Sequence, residues 1–575
     1  MKIRYVLLAA AAANSVAAGA ADAASPRQHH GATHPASSAN AQLLAQVKAL
    51  RVEVEALKTE VGMQHGTQET ATAQLQTTQS ALQSTQSQVQ NVQTQLAATP
   101  AVSKEQVNSE IAGAIEKEHH NDKFYFKGIT ITPGGFLEAA GIYRSKFQGD
   151  DIASSFNVPF PSQSHAAHGS EGRFSARQSR ISLLAQGDPN AHTQLSMYGE
   201  FDFQGGAQTS NSNQSNSYVP RIRNLYSTID WNERGYGIHI LAGQNWSLLT
   251  LQGKGMSPRS EVTPPQIDAQ YVPGFAWARQ PGVRVTADFL NHQLWLGVAA
   301  ENPQTTFGGT GVPAGITSAI LGNGSTATGG NQVNPSGSFQ QFYNGVGSSL
   351  SLGHVPDFIG KAALETVVGG HKLHVESFAI YRTFSERFDG TTVLEGSNHD
   401  AHGTGYGGSV NFEVVPKIFD AQFSYTGGRG IGRYGSAGLA DTTFDKEGNI
   451  HPIKEYMMLA GGTLHATKAL DVYGFAGEEV EHRQLYDAGS AGYGVATLLN
   501  TNCMDEGGAT CAGNVRRIRQ LTGGFWDKFY QGSFGRAQIG IQYSYTQRQL
   551  FQDVNGLSPQ ANNSMGFVSF RYYPF

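Results

Sequence analysis

The sequence predicts an all-β fold, a transmembrane antiparallel β-barrel of about 16 strands, preceded by an N-terminal α-helical coiled coil. Three observations carry this: period-two alternation of apolar and polar residues from Phe124 onward, very short connections alternating with very long ones, and an unbroken heptad over residues 41–98.

The chain opens as an export signal over residues 1–23. Lys2 and Arg4 give a positive start, Tyr5 to Ala13 an apolar stretch, and Ala21-Asp22-Ala23 a small-x-small cleavage site. The apolar stretch falls short of the roughly 20 residues of a membrane-spanning helix, which argues against the alternative of a retained anchor. Residues 24–40, rich in Ala, Ser and His, read as a flexible linker.

The heptad follows. One seam holds Val47, Val54, Val61, Gln68, Leu75, Leu82, Val89 and Leu96, and the other holds Leu43, Leu50, Leu57, Gln64, Ala71, Thr78, Thr85 and Val92. A register that never slips predicts a coiled coil over 41–98, the alternative being an unstructured Gln/Thr-rich linker. Gly62, Gly66 and the polar seam residues make it weak, so it depends on chains already held together. Pro100 ends it, and residues 99–123 read as a linker with a short helix.

With 69 Gly and only 15% charged residues, the rest has no apolar run long enough to cross a bilayer as a helix. A spanning structure must then be a closed barrel, because in lipid a sheet satisfies its backbone only when it has no edge. Residues 195–203, 283–289, 419–425 and 537–545 alternate cleanly, with one face apolar and the other carrying Glu, Asp, Arg and Gln. Short links at 187–191, 232–236, 290–292, 369–371, 415–417, 466–468 and 531–534 alternate with long Gly-, Ser- and Asn-rich stretches such as 302–345 and 428–454. Turns on one side and long loops on the other are the pattern of a bacterial outer-membrane barrel, here occupying 124–575. The formal net charge of −5 gives no reason to expect nucleic acid as a partner. Cys503 and Cys511, close together in a loop-like stretch of an exported chain, predict a disulfide, since too few ligands lie nearby for a metal site.

The last residues, Met565 to Phe575, resemble the terminal strand of outer-membrane barrel proteins, which ends in phenylalanine and is read by the barrel assembly machinery. Arg571 sits where alternation counted from Phe575 expects an apolar residue. A one-residue shift at Pro574 would turn Val568, Phe570 and Tyr572 to lipid. The segments Arg180-Ile181-Ser182-Leu183, Tyr198-Gly199-Glu200-Phe201-Asp202, Arg221-Ile222-Arg223-Asn224-Leu225-Tyr226 and Ala242-Gly243-Gln244-Asn245-Trp246-Ser247 resemble the trimeric porin superfamily, and within it the DcaP-type porins, which carry a coiled coil before the barrel. The resemblance implies a homotrimer in the outer membrane of a Gram-negative bacterium, in contact with membrane lipid and lipopolysaccharide, with its coiled coils on the periplasmic side. It also implies passive diffusion of small polar solutes.

In porins of this class the third external loop folds into the barrel. Here that loop is 247–277 and brings Lys254, Arg259, Glu261 and Asp268, while inward strand positions offer Arg180, Arg221, Arg223 and Arg284 with Glu200 and Asp202. Opposed charges at a constriction orient dipolar solutes, and the arginines suggest a preference for small anions such as carboxylates. The alternative is that these arginines only pair with neighbouring acids. From Phe124 on, 31 Lys and Arg stand against 35 Asp and Glu, so bulk charge does not choose the ion. A non-conducting structural or surface-binding barrel, tethered through the coiled coil, is the competing function. No catalytic or cofactor site is expected: Gly403 to Gly408 matches a dinucleotide fingerprint by letter but precedes a strand and reads as a flexible loop.

Overall fold

The structure is a computed structural model that describes residues 55, 83–85, 87, 123–205, 219–310, 353–388 and 397–575. The signal over 1–23, the linker over 24–40, most of the coiled coil over 41–98 and the linker over 99–122 lie outside the described residues. Residues 55, 83–85 and 87 are helical, and the Ser87 hydroxyl donates to the Gln83 carbonyl at 2.8 Å.

Sixteen antiparallel strands form the barrel. They are β1 (Ile129–Arg144), β2 (Glu171–Ser175 continued by Arg180–Asn190), β3 (Thr193–Gly205), β4 (Val219–Glu233), β5 (Tyr236–Trp246), β6 (Arg279–Phe289), β7 (Leu294–Glu301) and β8 (Asp357–Val368). The second half comprises β9 (His371–Phe388), β10 (Ser397–Val415), β11 (Phe419–Arg429), β12 (Lys454–His465), β13 (Leu470–Glu481), β14 (Val515–Gly532), β15 (Gly535–Leu550) and β16 (Gln560–Tyr573). Each strand pairs with its sequence neighbours, and β1 closes the ring on β16 with Leu137 opposite Tyr572 and Arg144 opposite Met565. The two segments of β2 both pair with β1. A short strand, Phe124–Phe126, folds back on the start of β1.

Connections segregate as the sequence predicts. One end carries the short turns at 191–192, 234–235, 290–293, 369–370, 416–418, 466–469 and 533–534; the other carries the loops, among them 145–170, 247–278, 302–356, 430–453 and 482–514. Side chains alternate across the wall. Leu183, Met197, Val285, Val298, Phe423, Ile541 and Val568 point outward and are exposed, whereas Thr286, Gln422, Gln542 and Ser569 point inward and are buried. Exposed aromatics gather near both rims, with Tyr236, Phe289, Phe529 and Phe534 toward the turns and Tyr381, Tyr406 and Tyr425 toward the loops, the girdle arrangement of membrane barrels. On β16 Val568 and Phe570 face out, while Arg571 turns inward and donates to Glu138 at 2.9 Å.

One expectation is corrected. Gly403 to Gly408 is not a loop but part of the continuous strand β10. Gly403, Gly405 and Gly407 face inward, where a Cβ would come within 2.7 Å of Phe384, Ile431 and Phe378 respectively. Their role is to admit bulky neighbours, not to bend the chain.

Candidate functional site: the lumen wall and its inserted loops

The third loop, 247–278, runs through the barrel and is held from many sides. Glu301 of β7 accepts from the Leu248 amide at 2.8 Å, and Lys361 of β8 donates to the Thr250 carbonyl at 2.9 Å. Glu376 of β9 accepts from the Gln252 amide at 3.0 Å, and Glu365 of β8 from that of Gly255. Trp526 of β14 donates to the Pro265 carbonyl at 2.7 Å, Gln542 of β15 accepts from the Ile267 amide, and Glu479 of β13 from the Gly274 amide at 2.8 Å. Gly274, at φ +86°, passes so close to β12 that a Cβ would collide with the Met458 carbonyl. Sequence periodicity has no means to find such contacts, since a loop's path is set by what it meets.

Two kinds of wall surround this loop. The first lies on β2–β6 and is rich in arginine. Asp202 accepts from Arg221 Nε at 3.0 Å and Nη2 at 2.6 Å, and from Arg223 Nη1 at 3.0 Å. Glu200 accepts from Arg223 Nε at 2.6 Å and from the Tyr198 hydroxyl at 3.2 Å. A β-bulge puts Arg223 out of register, with Glu200 opposite Asn224 and Phe201 opposite Ile222. Such an extra residue re-aims side chains, and here Arg221 and Arg223 both reach the carboxylates of β3. Arg180 lies 5.3 Å from the Phe136 ring centroid and Arg279 4.9 Å from that of Trp246. Arg284 donates to the Trp246 carbonyl at 2.7 Å. From the loop, Arg259 lies over Tyr198 and donates to the Tyr226 hydroxyl at 3.0 Å. Nε of Arg180 and Nη1 of Arg279 and Arg284 are buried with no hydrogen-bond partner among the described residues.

The second wall, on β7–β9 and β12–β13 with the sixth loop (430–453), is acidic. Arg382 pairs with Asp357 at 3.0 Å and Asp441 at 2.6 Å, and the Tyr434 hydroxyl donates to Asp357 at 2.9 Å. Glu455 accepts from the Ile431 amide, and Glu479 from the Ala437 amide at 3.0 Å. Glu481 is buried beside them.

Of the residues singled out from sequence, Arg180, Glu200, Asp202, Arg221, Arg223, Arg259, Glu261 and Arg284 gather at the first wall. Burial pushes the Glu261 carboxyl above its usual range, with Arg284 opposing. Two stand elsewhere. Lys254 is exposed beside Gly255 where the loop meets Glu365, and Asp268 accepts from the Ser154 amide of the first loop at 3.0 Å. Cys503 and Cys511 are joined by a disulfide in the seventh loop, 482–514. Arg279 escaped sequence reasoning because it is the first residue of β6, where alternation has not yet set in. The inward parity of Glu455, Glu479 and Glu481 was visible, but their use depends on the sixth loop. A further pattern went unseen: His239 sits between Asp230 and Asp288, His374 between Glu365 and Glu376, and His465 between Asp420 and Asp471, with each ring nitrogen within 3.2 Å of a carboxylate.

No protein-family model and no curated protein matches the chain. Among solved structures, the outer membrane channel DcaP of Acinetobacter baumannii superposes with a TM-score of 0.52 at 16% identity, over 78% of this chain and 99% of that one. OprB of Pseudomonas putida aligns over 80% of this chain and 96% of its own at 9% identity, TM-score 0.42. An anion-selective porin from Comamonas acidovorans aligns over 77% and 99% at 10% identity, TM-score 0.38. Only the likeness to DcaP bears on the fold, and it bears on nothing finer. The chain forms a closed 16-stranded barrel whose fold is similar to that of the DcaP channel.

Proposed function

We propose that the protein is an outer-membrane porin, a passive diffusion channel for small hydrophilic solutes that favours small anions such as carboxylates. The supporting observation is the arginine wall. Arg180, Arg221, Arg223, Arg259, Arg279 and Arg284 face Glu200, Asp202 and Glu261, so positive groups outnumber negative ones there. An excess of guanidinium over carboxylate groups along a channel wall favours anions, and guanidinium matches a carboxylate by two parallel hydrogen bonds. Purified protein in a planar bilayer should give stepwise conductance, and a salt gradient should give a reversal potential on the anion side. A cation-side potential would mean that Glu200, Asp202 and Glu261 govern the passage.

The competing reading, a sealed structural or surface-binding barrel, draws on the depth to which the third and sixth loops enter the lumen. Absence of conductance from folded protein would favour it. The native unit in the porin reading is a homotrimer, with residues 41–98 as a periplasmic coiled coil that assists assembly without driving it, and Phe575 presented to the barrel assembly machinery. Deleting 41–98 should leave a conducting trimer that melts at a lower temperature in native gels; monomers alone would show that the coil drives assembly.

A further inference from the structure

Three neighbouring strands near the turn end of the barrel build a small cradle around Gly237 of β5. In register, Gly237 stands between Asn232 of β4 and Asp288 of β6, and His239, two residues farther along β5, stands between Asp230 and Thr286. Thr286 points inward, so this face lines the lumen. With no side chain at 237, three polar atoms lean over its Cα. A Cβ there would stand 2.8 Å from Asn232 Oδ1, 2.8 Å from Asp288 Oδ2 and 3.0 Å from His239 Nε2. Gly237 lies in a strand without a positive φ, so no turn demands a glycine at this position; what it provides is room.

The imidazole is aimed from behind. Nδ1 of His239 lies 2.9 Å from Asp230 Oδ1, the other oxygen of Asp230 accepts from the Thr228 hydroxyl at 2.7 Å, and the ring stacks on Trp295 with centroids 5.1 Å apart. Asp288 Oδ2 lies 2.8 Å from His239 Nε2, and its Oδ1 lies 2.5 Å from His292 Nδ1. A histidine whose far nitrogen is fixed by a carboxylate is oriented as metal-ligating histidines are. The two other histidines set between carboxylates differ. Lys361 Nζ lies 2.6 Å from Glu376 beside His374, and Lys528 Nζ lies 2.6 Å from Asp471 beside His465. Those clusters carry their own cation, whereas Asp230 and Asp288 pair only with histidines among the described residues. Among the described residues no three His, Cys, Asp or Glu side chains suffice to hold a metal ion. Here an amide oxygen completes the set.

We propose that Asn232 Oδ1, His239 Nε2 and Asp288 Oδ2 bind a divalent transition-metal ion with the chemistry of Zn²⁺, water taking the remaining positions. Ligands about 2.1 Å from an octahedral ion lie about 3.0 Å from one another, close to the 2.8 Å between Nε2 and Oδ2. Imidazole selects such an ion over Mg²⁺ and Ca²⁺, which take oxygen ligands. Binding replaces the proton on Nε2, which leaves to the water of the lumen, and ties β4, β5 and β6 together through one ion. The site depends on the barrel wall alone and not on conduction, ion preference or oligomeric state.

The test uses the full-length protein without a histidine tag, purified in mild detergent, treated with chelator and titrated with ZnCl₂ by calorimetry. Other histidines take up zinc weakly, so the readout is the number of tight equivalents per chain. Wild type should exceed Gly237→Ala and His239→Gln by one, whereas His374→Gln and His465→Gln should match wild type. Asp230→Asn touches only the far ring nitrogen and should weaken the tight equivalent about ten- to hundred-fold. Zinc should also raise the unfolding temperature of wild type and leave that of Gly237→Ala unchanged. Gel migration of unboiled samples checks that each variant is folded. If Gly237→Ala is not, Asn232→Ala, at an exposed position, takes its place and should likewise lose tight binding. Equal tight binding by wild type and the folded variants at 232, 237 and 239 overturns the site. Mg²⁺ bound as tightly as Zn²⁺ also overturns it, because His239 would then not be a ligand.

Discussion

The arginine wall and the acidic wall face the same inserted loops, yet they hold them differently. On the acidic wall, Glu301, Glu455 and Glu479 accept backbone N–H groups of the third and sixth loops, and Arg382 locks Asp357 to Asp441. On the arginine wall the ion pairs run between neighbouring strands, and the third loop arrives with side chains: Tyr271 against Trp246, with ring centroids 5.9 Å apart, and Arg259 against Tyr226. The difference follows from donor and acceptor chemistry. A chain crossing a lumen has N–H groups that need acceptors, and a carboxylate offers two oxygens for them. Guanidinium has five donors and no acceptor, so it cannot satisfy a backbone N–H at all. The acids are committed to the loops, and the arginines keep N–H groups that no other part of the described protein takes up.

The largest test of that contrast is Arg382→Met. It strands Asp357 and Asp441 in a buried place, and removing one partner of such a pair costs about 3–5 kcal/mol. Heat or denaturant unfolding, read from gel mobility without boiling, should show a marked fall in stability. A midpoint like that of the wild type would mean that Arg433 and Tyr434 suffice to neutralise the pair.

Next in size is Glu479→Ala, which leaves the Gly274 and Ala437 amides without their acceptor at roughly 1–3 kcal/mol each. The barrel should stay folded while both loops loosen, giving noisier single-channel current and faster protease cutting within 247–278. Glu479→Gln keeps one acceptor oxygen and should fall between. Unchanged noise in both variants would show that other anchors hold the loops.

The smallest effect is functional. Arg279→Gln with Arg284→Gln removes two charges that have no ion pair described, so the anion-to-cation permeability ratio should drop by roughly two- to three-fold. A ratio that does not move would place these arginines outside the ion path and make the two walls alike in function.

How much of this was legible follows the reach of each signal. Alternation and turn chemistry act over a few residues, so the strands, the turns around Gly369 and Lys417 and the inward swing of Arg571 could be read from the chain. The pairing of Arg221 and Arg223 with Asp202 depends on a bulge that shifts register by one, which alternation does not anticipate. The acids of Gly477-Glu478-Glu479-Val480-Glu481 look like a solvated run. Parity separates them: Glu478 faces outward beside Arg519, while Glu479 and Glu481 face inward. Only the path of the sixth loop explains why the inward pair is needed. Lys254 and Asp268 share a loop with Arg259 and Glu261, but that loop crosses the barrel and delivers them to different neighbours.

The third loop also sets an order of events in assembly. Its anchors are separated from it by 110 residues at Gly255–Glu365 and by 275 at Ile267–Gln542. Contacts of such long sequence separation form late, because the intervening chain must first be closed into a ring of strands. β8, β9, β13, β14 and β15 all follow the loop in the chain, so they must take their places before it can be fully fixed. The bore would therefore be the last part to acquire its final dimensions, and a barrel halted just after strand closure would be wider than the finished one.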